Sequence, residues 1–590
     1  MGAILLCRTE DGVEERQAFG MLEKKGFTLS KSFECGTWHI YAMPKIIDRD
    51  SNWACRGDSL LVCSGTPIYK GLAYHDGLQH LLDDYLNDSL SLKELDGQYT
   101  ILFCHRGHIA FLNDPMNVKH LFADTDMKII SSSFLATVCG LRDKVHIDRM
   151  AVYEKFLTGF IMQPRTLFKE VRQLTAEAWS GKHGDRFGIS FIANDVDLMR
   201  GNDENNSREA CIRRQVQTLL DWFRRLDAFS RDRIDVGLSG GYDSRLVLAC
   251  VNECCPDKLH MHTHATGNVH RTDGAIARKM AESVGKTCHV VPTKPLAESN
   301  RVDEILHESV LYFDGRTSFA IGGCGEVYTR EYRIESTEKA PVTVTGVGGE
   351  LYRNVFSLGR NGISLDTFLR EKVFSPVMRR ALKPEIYETA AAEIAGRVAG
   401  RLGVDSHKRL PKAVAHRYYC EIMMPDGQGN AIDAYNQVSC NVAPFLTPGV
   451  IRRGYESVRF HGDSGDFEGD MIDEINHVLA SIDSAYGYPL NHRPAKVKIK
   501  EKLRTLMPAA LWERLGELKR TADGKDPGAS ADLEAVCAKS SVLKGALNRM
   551  ETLFPEIDFS LLKQQNESSK RLIFVSMTFD LLAERICLDE

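Results

Sequence analysis

One stretch constrains the chain more than any other: Ile234-Asp235-Val236-Gly237-Leu238-Ser239-Gly240-Gly241-Tyr242-Asp243-Ser244-Arg245-Leu246-Val247-Leu248. An apolar run ends in Ser-Gly-Gly, an acid follows, and helix-forming apolar residues resume at once. This pattern predicts a strand, a tight loop and a helix. Two glycines let the backbone turn sharply and let a ligand approach the main chain. Ser239, Ser244 and the N–H groups opening the helix favour an anion there. Asp243 would repel a bare phosphate, so its presence calls for a divalent cation that also binds phosphate oxygens. An ordinary Gly-rich turn has the same outline. The stretch is not a Walker loop, because no Gly-Lys-Ser/Thr closes it.

Strand and helix alternate after this loop. Leu259–Ala265 and Thr287–Val291 read as strands, and Thr272 caps a predicted helix Gly274–Val284 that Gly285 stops. Before the loop, Ser207 caps a helix in which Ile212, Val216, Leu219, Leu220 and Phe223 share one face. The alternation predicts a parallel doubly wound sheet with ligands at the C-terminal strand ends. A second Gly-rich turn, Val342-Thr343-Val344-Thr345-Gly346-Val347-Gly348-Gly349-Glu350-Leu351-Tyr352, again ends a β-branched run and carries an acid. Asp243 and Glu350 at neighbouring strand ends would form a Mg2+ pair. His260, His262 and His264 alternate along one strand face. With no acid or thiol at nearby spacing, packing or hydrogen bonding is the better reading than a metal.

Residues 1–193 differ in texture. Short β-like runs, among them Trp38–Ala42, Ser59–Cys63, Tyr99–Phe103 and Ile109–Leu112, alternate with turn residues, and Gly77–Leu86 has helical spacing. An α+β domain of packed sheets is predicted, and a polar, acid-rich stretch, 194–206, links it to the remainder, 207–590. The 590 residues allow two to four domains, and 43% hydrophobic with 26% charged residues is ordinary for a globular chain. A net charge of −5 argues against nucleic acid as the main partner. No apolar run is long enough to span a bilayer, and the apolar N-terminal run is too short for a signal peptide. Sixteen scattered cysteines without framework spacing predict free thiols and a cytoplasmic setting.

The loop Ser239–Ser244 resembles the Ser-Gly-Gly-x-Asp-Ser pyrophosphate loop of the ATP pyrophosphatases. Thr345–Glu350 is similar to the Ser-Gly-Glu-Gly-x-Asp-Glu turn of the asparagine synthetases. In the first third, Ser64–Tyr69, Leu95–Tyr99, Phe111–Pro115, Ile130–Ser133 and Gln163–Phe168 follow the order of that family's glutaminase domain. The resemblance covers about residues 1–455. It implies an Ntn-hydrolase-like α+β sandwich followed by an α/β ATP-pyrophosphatase domain (adenine nucleotide α-hydrolase-like) with a helical C-terminal part. It also implies ATP and Mg2+, held by Leu238, Ser239, Gly240, Gly241, Asp243, Ser244, Thr263, Ala265, Thr345 and Gly346, with Gly267 near the adenosine. Asp273 matches a family acid or is a helix-start charge. The catalytic set is Asp243 and Glu350, both metal-binding, and a Lys that neutralises pyrophosphate: Lys496, with Lys498 and Lys500 as rivals in a cation-dense run.

Three departures reshape the expected reaction. The family's nucleophilic Cys, directly after the initiator Met, is Gly2, and the acid that holds glutamine is lost at Thr66, so the glutaminase is expected to be inactive. The Glu that handles the nitrogen nucleophile is Val347, which is neither base nor hydrogen-bond partner; Asp314, Glu326 or Tyr352 are substitutes among which the sequence does not choose. The charged Glu-Val-Arg before Pro-Phe-Leu is Cys440-Asn441-Val442, so any amino-acid substrate gripped there has changed. An AMP-forming amide ligase is expected, closest in logic to β-lactam synthetases and lasso-peptide cyclases. A small-molecule or peptide carboxylate would be adenylated, and ammonia or an amine would capture it. No membrane partner is expected, and a homodimer stays open. Rival readings are a glutamine-dependent amidotransferase using Cys7 or Cys63, and a catalytically silent binding subunit. The apolar tail, Arg571–Leu588, predicts a packed helix.

Overall fold

The computed structural model describes residues 2–587 apart from 10–12, 48–49, 176–188, 195–205, 266–272, 294, 317–327, 359–361, 407, 463, 496, 498, 500–527 and 565. Among the described residues, eleven strands precede the linker: β1 (Ala3–Arg8), β2 (Lys31–Cys35), β3 (Trp38–Met43), β4 (Trp53–Arg56), β5 (Ser59–Tyr69), β6 (Leu95–His105), β7 (His108–Asn113), β8 (Phe122–Asp124), β9 (Ile129–Ser131), β10 (Val171–Gln173) and β11 (Ile189–Phe191). They form two sheets, ordered β10-β8-β9-β1-β3-β2 and β11-β7-β6-β5-β4. The two-residue alternation of a strand explains how the sheets stack. Ile4, Leu6, Ile40 and Ala42 of the first sheet meet Leu60, Val62, Leu102 and Phe111 of the second in one apolar layer. The opposite residues, Leu5 and Cys7, face helices Glu15–Lys24 and Phe134–Cys139. Leu61, Cys63, Ile101 and Phe103 face helix Tyr74–Leu86. The result is a four-layer α/β/β/α sandwich.

One cysteine pair departs from the free-thiol expectation. Cys35 on β2 and Cys104 on β6 are joined by a disulfide across the sandwich, while the other described cysteines form no disulfide.

The second half is built on a parallel sheet. Its strands are β12 (Ile234–Gly237), β13 (Leu259–Ala265), β14 (His289–Pro292), β15 (Val342–Val344) and, after a small antiparallel pair β16 (Ile363–Ser364) and β17 (Arg409–Leu410), β18 (Cys440–Val442). Their order is β14-β13-β12-β15-β18, and every neighbouring pair is parallel. The chain leaves β12 toward β13 and leaves adjacent β15 toward β18. The connections therefore diverge between β12 and β15, which opens a crevice at their C-terminal ends.

The halves share their cores. Ser207 accepts a hydrogen bond from Ala210 N and starts helix Arg208–Phe229. That helix buries Ile212, Leu219, Trp222 and Phe223 in a cluster holding both Leu78 and Leu81 of the sandwich and Val236 of β12. The tail helix runs from Asn566 to Leu581, earlier at both ends than its sequence predicts. It stops because the chain turns to pair with the sandwich: Cys587 N and Val145 O bond at 2.9 Å, and Ile586 bridges to Val145. Most of the linker lies outside the described residues. Asn194, at its start, donates to Asn113 O at 3.0 Å. No described helix is long and apolar enough to cross a membrane.

Candidate active site

The crevice is a cleft of about 650 Å3, and both Gly-rich turns line it. Leu238, Ser239, Asp243 and Ser244 come from the first, and Thr345, Gly346, Val347, Gly348 and Glu350 from the second. Tight packing joins the two turns. A Cβ added to Gly349 would lie 2.2 Å from Asp243 Oδ1, and one added to Gly346 would lie 3.0 Å from Ser244 N. The glycines at 346 and 349 are thus spacing residues that let one turn rest on the other. Gly348 supplies the positive φ, 95°, that the turn itself needs.

The first loop is held from within. Ser239 N donates to Ser244 Oγ (3.0 Å), Gly241 N to Ser239 Oγ (3.3 Å), and Gly240 N to the Asp273 carboxylate (3.0 Å). The expected cradle of free N–H groups is therefore already satisfied here, and an incoming anion would have to displace these acceptors. Asp273 is more than a helix-start charge, since it fixes Gly240. Thr263 differs from its expected place beside a nucleotide: it is fully buried, and its hydroxyl donates to Leu238 O at 2.9 Å beneath the loop. Gly240 and Gly241 shape the loop without lining the cleft. Ala265 ends β13, beside the residues that face the cleft. Lys496, Lys498 and Lys500, Glu326, Gly267 and Thr272 lie outside the described residues.

Three carboxyl groups gather around one arginine. Arg353 pairs with Asp243 and, at 3.3 Å, with the fully buried Glu468. Burial and the neighbouring Asp243 hold the Glu468 carboxyl well above the usual range. The Glu350 carboxyl is raised by burial first and by Asp243 second, while Tyr419 donates a hydrogen bond to it at 2.5 Å. Carboxyl groups held in weakened acidity by burial and a repelling neighbour mark a place where added positive charge is favourable. Among the described residues no group of three or more His, Cys, Asp or Glu side chains converges as a complete metal site. Asp243 and Glu350 would thus supply two ligands at most, and phosphate oxygens and water the others. Arg353 and Glu468 carried no motif. A Glu far from both turns in sequence is visible only once helix Asp466–Ile475 is in place.

Sequence reasoning also missed the far wall. His264, Tyr328, Tyr332, Arg333, Gln428, Tyr435 and Lys570 line it. His264 stacks on Tyr332, with ring centroids 5.4 Å apart, and its Nδ1 lies 2.7 Å from that hydroxyl. Burial pulls the His264 imidazole down to about 3, so it is neutral. His262 Nδ1 bonds to the buried Asp235 carboxylate at 2.8 Å, and His260 to Asp235 at 3.1 Å and to Glu338. The three histidines are thus hydrogen-bonded, as the strand spacing predicted.

Two expected stand-ins for Val347 sit elsewhere. Tyr352 is fully buried under the second turn and takes a hydrogen bond from Gln215. Asp314 pairs with Lys25 at 2.9 Å, among residues beside Gly2 rather than in the cleft.

The region around Gly2 cannot house a nucleophile. A Cβ there would lie 1.2 Å from Met43 O. Lys119, Arg316, Asp314 and Asp433 fill the space beside it, leaving a cavity of about 20 Å3, enough for water alone. Cys7 and Cys63 are fully buried, and burial pushes both thiols far up, which removes the thiolate a glutaminase needs.

No protein-family profile matches the chain, and no curated protein sequence matches it. Among solved structures, the U34-tRNA thiolase NcsA from Methanococcus maripaludis, with its [4Fe-4S] cluster, is similar at 14% identity. That likeness covers 55% of this chain and 82% of the other, at a TM-score of 0.22, which carries no inference about this protein. Fold and site define a mixed α/β protein with a glycine-spaced acidic cleft at the switch point of its parallel sheet.

Proposed function

We propose that the protein is an ATP-dependent, AMP-forming carbon–nitrogen ligase. The observation that carries this reading is the seating of the second turn on the first, with Asp243 and Glu350 lining one cleft at the switch point. The two carboxylates suit Mg2+ bound together with phosphate oxygens, and the metal would supply charge neutralisation for the leaving pyrophosphate. Ser239 and Ser244 offer hydroxyls to the phosphates, and Asp273 yields Gly240 N to them. A substrate carboxylate oxygen attacks the α-phosphorus, the bond to the bridging oxygen breaks, and pyrophosphate departs. A nitrogen nucleophile then attacks the acyl carbon, AMP leaves with the carboxylate oxygen, and the nitrogen loses a proton.

The nitrogen is ammonia or an amine, since a residue at position 2 has no room for a thiol. The N-terminal sandwich is read as an Ntn-type scaffold without glutaminase activity. ATP–pyrophosphate exchange over a panel of carboxylic acids tests the reading. Exchange that depends on Asp243 and Glu350 is expected, with loss in Asp243→Asn and Glu350→Gln. Failure of the protein to bind ATP in the presence of Mg2+ would refute it.

A further inference from the structure

Arg245 stands in the first turn of helix Asp243–Cys254, directly behind the first Gly-rich turn, and has no assigned role in adenylation. It is fully buried. A buried charge is costly and needs hydrogen bonds to offset the loss of water. Burial pulls the guanidinium down to about 10, so it is still charged at neutral pH. Its Nη1 donates to Leu479 O at 3.0 Å and to Ile482 O at 2.6 Å, and its Nη2 to Asp483 O at 3.2 Å. These carbonyls lie in the short helix His477–Ser481 and just after it. A planar fork spread over three carbonyls fixes both the place and the direction of the chain leaving that helix.

The chain then folds back on itself. Asp483 bridges to Pro489, Ser484 N and Oγ donate to Tyr488 O at 3.0 and 2.7 Å, and Leu490 N donates to Ala480 O at 2.9 Å. The tip of this hairpin meets the first Gly-rich turn twice. Ala485 N donates to Gly240 O at 3.0 Å, and the Tyr486 ring lies 5.5 Å from that of Tyr242. Gly240 is thereby held at both ends, since its N–H is bonded to Asp273. The fit is close: a Cβ on Gly240 would lie 2.7 Å from Asp273 Oδ1 and 2.8 Å from Ala485 Cβ. Glycine has the widest backbone freedom of any residue, so neighbours have to set the conformation of this turn. A conformation set before the ligand arrives removes an ordering cost from binding.

We propose that segment 479–490 is a third element of the phosphate site, a jaw that fixes Gly240 and so aims Ser239 and Ser244 at the pyrophosphate group, and that Arg245 is the positioning residue holding the jaw. The proposal rests on the adenylation reading and adds residues to the same site. Arg245 acts through Ala485 and Gly240 and touches no ligand itself.

The test is calorimetric binding of pyrophosphate with Mg2+, and separately of AMP, to the full chain, beside urea unfolding. AMP lacks the pyrophosphate group that the jaw serves, so it reports on the rest of the cleft. Ala485→Pro removes the N–H that Gly240 O accepts, and Arg245→Lys offers one point in place of a fork. Pyrophosphate affinity is expected to fall about threefold to tenfold in both, the effect of one lost hydrogen bond, with AMP affinity within twofold. Ser484→Ala loosens the hairpin without disturbing a buried charge and is expected to give a smaller loss in the same direction, so the test stands even where Arg245→Lys does not fold. Arg149→Met, which removes a donor to Leu553 O at 2.8 Å in the C-terminal part, is the control for stability alone and is expected to leave both affinities unchanged. Equal loss of pyrophosphate and AMP affinity in the jaw variants, or an unchanged pyrophosphate affinity in Ala485→Pro, would overturn the proposal. An unmodified protein that binds neither pyrophosphate nor ATP would instead refute the ligase reading beneath it.

Discussion

Gly349→Ala isolates the contact on which the cleft depends. Gly349 does not occupy the left-handed region, so alanine carries no torsional penalty there and the whole effect is steric. The new Cβ would meet Asp243 at 2.2 Å from Oδ1, 2.5 Å from Cγ and 2.6 Å from Cβ. Contacts that short force one turn away from the other, at the roughly 1–3 kcal/mol typical of overpacking. The displaced group is the Asp243 carboxylate that Arg353 holds, so the pair with Arg353 weakens as well. A misplacement of about 1 Å at a reacting centre costs on the order of 100-fold in rate. Gly241→Ala is the matched control, since its Cβ would meet only Ser239 Oγ, at 3.4 Å. Urea unfolding and ATP–pyrophosphate exchange are measured on both variants. Gly349→Ala is expected to lose stability in that range and nearly all exchange, and Gly241→Ala to lose little stability. Equal stability and equal exchange in the two variants would show that the turns do not bear on each other as described.

Four further outcomes follow from buried groups. Gly2→Cys is expected to release no glutamate from glutamine and to unfold more readily, because its side chain has no space beside Met43 O; brisk glutaminase activity would contradict this. Burial alone would raise the Asp235 carboxyl, but His262 and His260 hold it at about 2, below the ordinary 3.8. That shift stabilises the fold by roughly 2 kcal/mol above pH 5 and is lost as pH falls through 3.8 toward 2; urea unfolding against pH should show this acid limb, and Asp235→Asn should remove it. Asp433→Asn strands Lys119 and Arg316, which lie at 2.8 Å from it in the core, and is expected to cost about 3–5 kcal/mol by chemical unfolding. Lys45→Met takes an ammonium from Asn436 O and Ser439 O, at 2.7 and 2.6 Å, and is expected to raise KM for the acid substrate more than KM for ATP in steady-state kinetics.

Local signals carried much of this architecture. The Gly-rich turns, the Ser207 cap and the parallel alternation depend on neighbours within a few residues, and the structure places Ser239, Asp243, Ser244, Thr345 and Glu350 together as their spacing implied. Contacts made across the fold were not legible. Glu468 reaches Arg353 over 115 positions, and Lys570 arrives from the tail, so no window of sequence joins them to the cleft. Thr263, which the family resemblance set near the adenosine, and Tyr352, one of three stand-ins left open for Val347, are both fully buried. Strand and turn geometry directs both side chains into the core. The Cys35–Cys104 bridge was equally hidden, since 69 residues separate its partners and only the stacking of two sheets brings them together.

The sandwich keeps a purpose even with its pocket filled. Tyr435 belongs to helix Gly429–Val438, and the sandwich grips that helix along its length. Lys119 and His120 hold Asp433 at 2.8 and 2.6 Å, Thr66 Oγ1 donates to Asn436 Oδ1 at 2.7 Å, and Lys45 caps the carbonyls at the helix end. Each of these groups is buried, so a free second half would expose Asp433 with Arg316 as its remaining cation and leave the helix end without its cap. The residues facing Gly2 and those facing the cleft are thus two sides of one helix. Filling the first side with fixed charges holds the second in place, so the sandwich sets the position of the tyrosine wall of the cleft.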